Sequence, residues 1–389
     1  MADSRETELR DRHSGIERYL LAVAQGRPGP LPMLLRGLLA ALAPVYCAGL
    51  ELYLLPYHLG LRRRSRLPCP VLCIGNLTTG GTGKTPMTQA LCRLLLAEGK
   101  RVVVLSRGYG GENEYGCAVV SDGERVLLNA HEAGDEAYLL ASTLPGIPVV
   151  VGKDRRVTGA LAWERFQPDV IVLDDGMQFW QLHRDLDIVL LNACEPFDNG
   201  WTFPRGLLRE PPSHLRRAGI VVLTNAQRAG IAQVTAVKKQ VAKLAPGCPV
   251  FTADLAPIEL RDLTGKMNCP VLWLQGRRVA ALSALGNPAA FETMLETLGA
   301  SLTACYRFRD HKTITAEELA QVCRAAQSAG AEAVITTEKD AVKLSLTSEI
   351  VPLLALQVEM QIAGEPELWD VVKKVPASHR VPPGKDAVG

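Results

Sequence analysis

Short apolar runs alternate with helical segments along the chain from residue 70 onward. The runs cover residues 71–74, 102–105, 149–151, 170–173, 188–191 and 220–223. Because they are continuous rather than interleaved with polar residues, they predict strands buried on both faces of a parallel sheet. Between the first two, residues 86–98 place a proline in the first turn and leucines on one face, with Gly99 as the stop, which predicts a helix. The pattern predicts a doubly wound, mostly parallel α/β domain.

A second α/β pattern follows the first. Pro246, Gly247 and Pro249 break the chain, and residues 249–262 are expected to connect two domains. An apolar run at 271–274 is the first predicted strand of the second pattern. Two predicted helices at 289–298 and 316–329 follow, and then another strand at 333–336. The predicted organisation is an N-terminal extension with a membrane-associating helical segment (1–66), a core domain (67–248), a smaller C-terminal α/β domain (249–375) and a tail (376–389).

The stretch before the first predicted strand is apolar and then basic. Residues 31–61 are mostly apolar, and Arg62, Arg63, Arg64 and Arg66 follow directly. The first 66 residues carry ten arginines and six acidic residues, a charge of +4, whereas the whole chain carries +2. An apolar segment beside a basic cluster is typical of an element that lies on an anionic membrane surface. A helix packed on the core beside a solvated charge run is the alternative.

Two features of this stretch favour an interfacial helix over a spanning one. A spanning helix needs roughly 20 predominantly apolar residues. Here Arg36 and Glu51 bracket only 14 uncharged residues, and Pro44 lies among them. Mixed charges precede the apolar stretch, which therefore differs from a secretory signal peptide.

Composition excludes several other classes of protein. Of the 389 residues, 47% are hydrophobic and 22% are charged, which is typical of a globular chain and excludes a disordered one. The small net charge argues against a nucleic-acid-binding protein. The ten cysteines include no C-x2-C pair, so neither a zinc site nor a disulfide framework is predicted, and a reducing, cytoplasmic compartment is expected.

A glycine-rich loop between the first predicted strand and helix is the strongest chemical signal. Strand, glycine-rich turn and helix form the context that a phosphate-binding loop requires. Its backbone N–H groups and the helix N-terminus favour an anion, the lysine reaches the β- and γ-phosphates, and the last threonine offers a hydroxyl to Mg²⁺. The predicted nucleotide-binding residues are Thr78, Thr79, Gly80, Gly81, Thr82, Gly83, Lys84 and Thr85. The first of these departs from the usual glycine.

A second signal lies where the run 170–173 ends in Asp174 and Asp175. An apolar strand ending in acid is typical of a Walker-B segment, which places a carboxylate beside the bound phosphates. Mg²⁺ prefers few carboxylates together with water and phosphate oxygens, so one or two acids suffice. The alternative is a strand-end turn in which Asp-Asp-Gly is turn chemistry.

Together with weaker motifs, these signals resemble the tetraacyldisaccharide 4′-kinases, the family that phosphorylates a membrane-borne acylated disaccharide in the lipid A pathway. The matching stretches run in the family's order from about residue 30 to 345. They are GNLTTGGTGKTP (75–86), SRGYGG (106–111), GDE (134–136), VGKDR (151–155), DDGMQ (174–178), RDLDIVLLNA (184–193), PRGLLREP (204–211), ALGNPAAF (284–291), RDHKTIT (309–315) and TTEKDAVKL (336–344). Within this family Thr78 is acceptable.

The resemblance implies a P-loop-type fold, ATP and Mg²⁺ as cofactors, and a set of site residues. Lys84 is implied as catalytic, and Asp135 and His311 as a dyad that accepts the proton of the sugar hydroxyl. Mg²⁺ would be held by Thr85, Asp174 and Asp175. Active-site support is implied for Arg107, Tyr109, Glu136, Arg155, Gln178, Arg209 and Glu210. Because His311 lies in the second predicted domain, domain closure is expected to assemble the dyad.

The resemblance also implies the partners and the location. These are an acylated disaccharide 1-phosphate lipid and an anionic membrane surface, at the cytoplasmic face of the inner membrane, with no nucleic acid and no obligate protein partner. One departure stands out: after DDGMQ the family usually continues with His and a basic residue, whereas this chain has Phe179 and Trp180. His183 is a candidate for the missing histidine's role.

Two other functions compete with the lipid kinase. A P-loop GTPase-type chaperone that loads a metal or cofactor would need an N-K-x-D motif, and the nearest match, residues 337–340, lacks the Asn. It would also often carry a Cys or His cluster. A soluble small-molecule kinase would leave the apolar N-terminal stretch unexplained.

Overall fold

The structure is a computed structural model and describes Val23 and residues 28–265, 268–309, 312–344 and 351–375. The helices are α1 (Pro30–His58), α2 (Lys84–Ala97), α3 (Ala130–Ala133), α4 (Asp135–Thr143), α5 (Arg155–Phe166), α6 (Ala226–Leu244), α7 (Pro288–Thr297), α8 (Ala316–Ser328), α9 (Glu338–Ala341) and α10 (Glu365–Lys373). The strands are β1 (Val71–Asn76), β2 (Val102–Ser106), β3 (Ala118–Ser121), β4 (Val149–Val151), β5 (Val170–Asp174), β6 (Leu186–Asn192), β7 (Ile220–Thr224), β8 (Val250–Asp262), β9 (Cys269–Pro270), β10 (Arg278–Ser283), β11 (Ser301–Arg307), β12 (Ala333–Thr337) and β13 (Leu353–Ala363).

The described chain divides into two compact units. The smaller is Ala256–Glu359, and the larger contains the described residues up to Leu255 and those from Met360 onward. In the larger unit the strand order is β8-β7-β6-β1-β5-β2-β4-β3, parallel throughout except for the pair β3–β4. In the smaller unit β11, β10, β12 and β13 are parallel neighbours. The predicted α/β fold with a mostly parallel sheet is confirmed.

The core of the larger unit explains why its strands have continuous apolar sequences. Leu72 and Ile74 of β1 pack on one face of the sheet with Met87 and Leu91 of α2. Their neighbours in sequence, including Val71 and Cys73, pack on the other face with residues of α5 and α6. Because helices cover both faces, every residue of β1 is buried and no alternation with polar residues is possible.

The central position of β1 places the functional site. It pairs in parallel with β5 on one side and β6 on the other, so that Ile74 is level with Asp174 and with Ile188. The chain leaves β1 toward β2 on one side and later crosses back to β6 on the other. Ligands of open α/β sheets bind at the carboxyl ends of strands at such a switch point. The loop that follows β1 lies at this point.

One sequence-based expectation was wrong. Residues 271–274 form a 3-10 turn rather than a strand, and the strand begins at Arg278. The turn follows Pro270, and Leu272 is 74% exposed, so this apolar run is not a buried strand. Residues 249–262, which were expected to connect two domains, form β8 for most of their length, and the boundary between the two units, between Leu255 and Ala256, lies within this strand.

Helix α1 carries the apolar segment of the N-terminal extension. It begins after Gly29, contains Pro44 and Pro56, and ends at His58. By length and composition it is long and apolar enough to cross a membrane. Its exposed apolar side chains include Leu31, Met33, Leu34, Leu38, Leu42, Val45 and Leu52. Contacts with the sheet domain include the Tyr46 hydroxyl, which donates to Arg209 O, and Leu54 and Tyr57, which pack on Trp180.

Candidate active site

The glycine-rich loop joins the carboxyl end of β1 to the N-terminus of α2, as predicted. Gly83 precedes the helix with φ of +82°, a left-handed conformation, and a Cβ there would lie 2.8 Å from Met360. Thr82 is buried, and its hydroxyl accepts a hydrogen bond from Asn76 Nδ2 at 2.9 Å. The loop therefore leads directly into a helix N-terminus, which favours a bound phosphate group.

Lys84 is held between two acceptors at the start of α2. Its Nζ donates to Asn76 Oδ1 at 3.4 Å and lies 3.6 Å from Asp175 Oδ2. The side chain is 11% exposed, so these neighbours orient the charge within the site. Asn76 is a residue that sequence reasoning missed, because a neutral amide at a strand end gives no charge signal.

The PRGLLREP segment packs on the glycine-rich loop and holds its shape. Thr79 N donates to Leu207 O at 2.8 Å, and Arg209 N donates to Leu77 O at 2.7 Å. Thr78 also forms an isolated antiparallel bridge with Leu208. Two motifs whose contacting residues, Thr79 and Leu207, are 128 positions apart in sequence therefore form one backbone structure, and Arg209 is brought to the loop.

Asp174 and Asp175 lie at the carboxyl end of β5, beside the loop. Asp174 Oδ1 accepts from the Thr88 hydroxyl of α2 at 2.9 Å, and Ser106 lies at 3.5 Å. Burial, together with the neighbouring carboxylates of Glu136 and Asp175, raises the pKa of Asp174 well above its ordinary value. Crowded carboxylates of this kind favour a bound cation.

Asp175 has the opposite environment. Burial opposes its ionisation, but Lys84 and Arg209 outweigh burial and hold the pKa of Asp175 below its ordinary value. Arg209 Nη1 donates to both carboxylate oxygens at 3.0 Å and to Gln178 Oε1 at 3.2 Å. Gln178 in turn donates to Asn76 O at 3.0 Å. The predicted residues Lys84, Asp175, Gln178 and Arg209 thus form one connected group.

Glycine contacts bring the SRGYGG loop and the GDE motif together. A Cβ on Gly134 would lie 2.8 Å from the Gly108 carbonyl carbon and the Tyr109 oxygen, and one on Gly111 would lie 2.5 Å from Gly134 N. Only glycines permit this approach. It places Asp135, the first residue of α4, next to the loop that follows β2.

Glu136, the second residue after Gly134, and Arg107 of the SRGYGG loop also belong to the site. Glu136 is close enough to Asp174 to raise its pKa. Arg107 pairs with Glu114 at 2.7 Å, and its guanidinium lies 5.7 Å from the ring of Tyr109, which is 61% exposed. These contacts leave the tyrosine ring facing solvent at the rim of the site.

Arg155 is the most buried arginine of the predicted set, at 4% exposure. Its Nη1 donates to the carbonyls of Gly152 and Lys153 at 3.3 and 3.0 Å. Burial, and then the charge of Arg107, lower the pKa of Arg155, whereas Asp175 and Asp174 raise it. The charges of Arg155, Arg107 and the aspartates are therefore close enough to act on one another.

Glu210 has a different environment from its neighbour Arg209. Its buried carboxylate accepts from His214 Nδ1 at 2.7 Å and pairs with Arg217 through both oxygens. Burial opposes its ionisation, yet His214 and Arg217 lower the pKa of Glu210 to about 2. His214 Nε2 also lies 2.7 Å from Glu51 of α1. Glu210 therefore connects the site edge to the N-terminal helix, a role that sequence reasoning did not assign.

The two residues that depart from the family pattern have separate surroundings. Phe179 lies 5.8 Å from the Arg155 guanidinium and lines a cavity of about 430 Å³ with Lys153 and Tyr115. Trp180 packs on α1. His183 does not replace the family histidine near the phosphate loop, because it lies beside Asp185, which accepts from Val71 N at the amino end of β1.

His311 lies outside the described residues. Among the residues that are described, no group of three or more His, Cys, Asp or Glu side chains has the arrangement of a metal site. A magnesium ion bound with ATP needs fewer protein ligands than that. One hydroxyl from Thr85 and the two aspartates of β5 provide a donor set of the right kind.

Comparisons with known proteins agree on one family. The profile of the tetraacyldisaccharide-1-P 4′-kinases matches residues 35–377. The tetraacyldisaccharide 4′-kinase of Geobacter metallireducens is 44% identical over 346 residues, covering 89% of this chain and 99% of its own length. That of Pelobacter propionicus is 42% identical, covering 93% and 99%. A crystal structure of LpxK from Aquifex aeolicus in complex with ATP has a TM-score of 0.72 and 32% identity, covering 88% of this chain and 99% of that one.

Proposed function

The chain belongs to the tetraacyldisaccharide 4′-kinase family, and from this membership we propose how its own residues divide the work of phosphoryl transfer. The enzyme is an ATP-dependent kinase of lipid A biosynthesis that transfers the γ-phosphate to the 4′-hydroxyl of a tetraacyldisaccharide 1-phosphate. Family membership also decides against the GTPase-type chaperone. The assignment of residues rests on one observation: Lys84 lies between Asn76 and Asp175 at the end of β1.

Residues 78–85 bind the phosphates of ATP. Their backbone N–H groups and the N-terminus of α2 supply fixed positive ends for the anion. Lys84 neutralises charge on the transferred group, and its contacts with Asn76 and Asp175 hold it in place before ATP arrives. Phosphoryl transfer depends on positioning and charge neutralisation more than on covalent chemistry, so a preorganised lysine accelerates it.

Mg²⁺ fits the donor set of Thr85, Asp174 and Asp175. The support is electrostatic, since Asp174 is crowded by Glu136 and Asp175 in a buried position where a cation would relieve the repulsion. When bound, the ion supplies charge neutralisation to the β- and γ-phosphates. Thr88 and Ser106 orient Asp174, and Arg209 orients Asp175.

Asp135 accepts the proton of the 4′-hydroxyl. It is partly exposed at the start of α4, and the Gly108–Gly134 contact fixes its backbone beside the phosphate-binding edge. A general base must come within hydrogen-bond reach of the proton that it takes, which requires such fixed placement. His311, the other member of the implied dyad, stays a prediction. Arg107, Tyr109, Glu136, Arg155, Gln178 and Arg209 support the site, and Glu210 acts through Arg217 and His214.

The enzyme attaches to the cytoplasmic face of the inner membrane through α1, as an interfacial helix. From Tyr46 onward the helix contacts the sheet domain, because the Tyr46 hydroxyl donates to Arg209 O at 2.8 Å and Glu51 pairs with His214. The residues before this contact, from Pro30 to Val45, number 16 and include buried Ala43, and at 1.5 Å per residue they span about 24 Å, less than the roughly 30 Å hydrocarbon core. The exposed leucines of this part therefore suit the membrane surface.

Magnesium dependence tests the assignment of the aspartates. We expect Asp175→Asn to raise the Mg²⁺ concentration needed for half-maximal transfer by more than tenfold. Asp169→Asn is the matched control, because Asp169 lies just before β5 at its opposite end and pairs with exposed Arg101. An unchanged Mg²⁺ requirement in Asp175→Asn, with Asp169→Asn behaving identically, would remove Asp175 from the metal site.

A further inference from the structure

A cavity of about 210 Å³ lies at the C-terminal end of α1, and most of its lining residues have no part in the proposed kinase reaction. It is lined by His58, Arg64, Trp180, Arg184, Asp187, His214, Arg216 and Arg217. We call it the helix-base cavity. A buried water needs roughly 10–15 Å³ of such space, so the volume admits a phosphate-sized anion with accompanying water.

Positive charge around the helix-base cavity exceeds what nearby carboxylates neutralise. Arg184 is paired with Asp187 at 2.6 Å, and Arg217 is paired with Glu210. For Arg64 and Arg216, no carboxylate lies within ion-pair distance anywhere in the described ranges. Arg216 therefore has no ion-pair partner among the described residues, and the carboxylate that acts on Arg64, that of Asp187, is already paired with Arg184, so the lining keeps an excess of positive charge.

The environment of Arg64 shows the same excess. Burial, and then the nearby charge of Arg184, lower the pKa of Arg64, Asp187 opposes this, and Arg217 lowers it further. Its guanidinium lies 5.0 Å from the Trp180 ring, and that of Arg217 lies 4.6 Å from the same ring. Two cations share one aromatic side chain, and an anion between them would relieve their repulsion.

The lining also contains buried donors that lack a protein acceptor. Trp180 is 5% exposed, and its Nε1 has no hydrogen-bond partner within the described part of the chain. The same holds for Nε of Arg217. Both groups can only donate, so a ligand that pairs with either of them must be an acceptor. A phosphate group has the charge and the several acceptor oxygens that guanidinium donors bind best.

The cavity lies where a lipid phosphate can reach it. It borders the end of α1, the helix that we assign to the membrane surface, and Arg64 belongs to the basic run at residues 62–66. Trp180, which lines it, also packs on Leu54 and Tyr57 of α1. A ligand in the cavity therefore contacts the residues that join α1 to the sheet domain.

From these observations we propose that the helix-base cavity binds a phosphate group through Arg64, Arg216 and Trp180, separately from the ATP site. The group is supplied by an anionic phospholipid headgroup or by a soluble phosphate. The inference uses neither the phosphate loop nor the kinase reaction, so it stands or falls independently of the proposed function.

Titration with inorganic phosphate tests the site directly. The full-length protein is saturated with Mg²⁺ and a non-hydrolysable ATP analogue, so that the nucleotide loop is occupied, and phosphate binding is measured by calorimetry at constant ionic strength. We expect Arg64→Gln and Arg216→Gln each to weaken binding about tenfold or more, as for lost hydrogen bonds to a charged group. Trp180→Phe keeps an aromatic ring and loses only the N–H, and we expect a loss of about two- to tenfold.

Arg63→Gln is the matched control, since Arg63 is exposed in the same basic run and does not line the cavity. The second arm measures cosedimentation with vesicles of phosphatidylcholine alone or with phosphatidylglycerol. If Arg64→Gln weakens the binding of inorganic phosphate but not the binding to vesicles, the ligand is a soluble phosphate. If Arg64→Gln weakens only the binding to phosphatidylglycerol vesicles, the ligand is a lipid headgroup. Equal effects of Arg63→Gln and Arg64→Gln in both arms, or no binding in either, would overturn the proposal.

Discussion

Replacing Gly134 by alanine tests whether the packing of two loops positions the proposed base. The added Cβ would lie 2.8 Å from backbone atoms of Gly108 and Tyr109, whereas ordinary contacts begin at 3.4 Å. The SRGYGG loop or the start of α4 must therefore move by about 0.6 Å or more. Since a 1 Å misplacement can cost about a hundredfold in rate, we expect kcat to fall roughly 10- to 100-fold. The positive φ of +83° adds about 1–3 kcal/mol of instability.

Gly146→Ala separates displacement from backbone strain. Gly146 also has φ of +83°, but a Cβ there would meet only Leu96 Cδ2 at 3.6 Å. Both variants are assayed at saturating ATP and lipid acceptor, at a temperature where unfolding curves show each to be folded. We expect Gly146→Ala to retain the wild-type kcat. If Gly134→Ala stays within about twofold of Gly146→Ala, loop packing does not position Asp135.

Three further perturbations test other parts of the account. Asp135→Asn should lower kcat by about 10²–10⁴ in single-turnover assays with ATP affinity nearly unchanged, and a change in ATP affinity alone would refute the base assignment. Glu210 has a pKa of about 2 against an ordinary 4.5, so its ionised form stabilises the fold above pH 4.5, and this contribution is lost as the pH falls toward 2. In urea unfolding, Glu210→Gln should therefore be about 3 kcal/mol less stable than the wild-type protein at pH 7, and less than half of that difference should remain at pH 3. A difference in stability that does not change with pH would contradict the ion pair. Leu34→Gln, Leu38→Gln and Leu42→Gln together should weaken vesicle binding at least a hundredfold. Leu272→Gln, at a leucine of the smaller unit that is as exposed as Leu34, should not, and equal effects would place the membrane contact elsewhere.

The Glu51–His214–Glu210 chain relates the N-terminal helix to the catalytic edge. Glu51 belongs to α1, and Glu210 follows Arg209, which binds both oxygens of Asp175. These contacts join α1, through Glu51, His214 and Glu210, to the residue next to Arg209.

Sequence patterns predicted the parallel sheet well, because strands buried on both faces have continuous apolar sequences. Six strands begin within three residues of the predicted apolar runs: β1, β2, β4, β5, β6 and β7. The run at 271–274 was misread, since four apolar residues after a proline do not distinguish a strand from a turn. Charged and glycine-rich motifs predicted Lys84, Asp174 and Asp175. Asn76, Thr88 and His214 were missed, because their importance depends on long-range contacts that local sequence does not encode.

Transfer of radiolabelled phosphate from ATP tests the central claim most directly. The acceptor is a tetraacyldisaccharide 1-phosphate in detergent micelles, and GTP and soluble disaccharides serve as controls. We predict Mg²⁺-dependent labelling of the lipid at its 4′ position by the wild-type protein, and its loss in folded Lys84→Ala, which lacks the charge held by Asn76 and Asp175. Undiminished labelling by Lys84→Ala would contradict the claim that this loop carries the reaction.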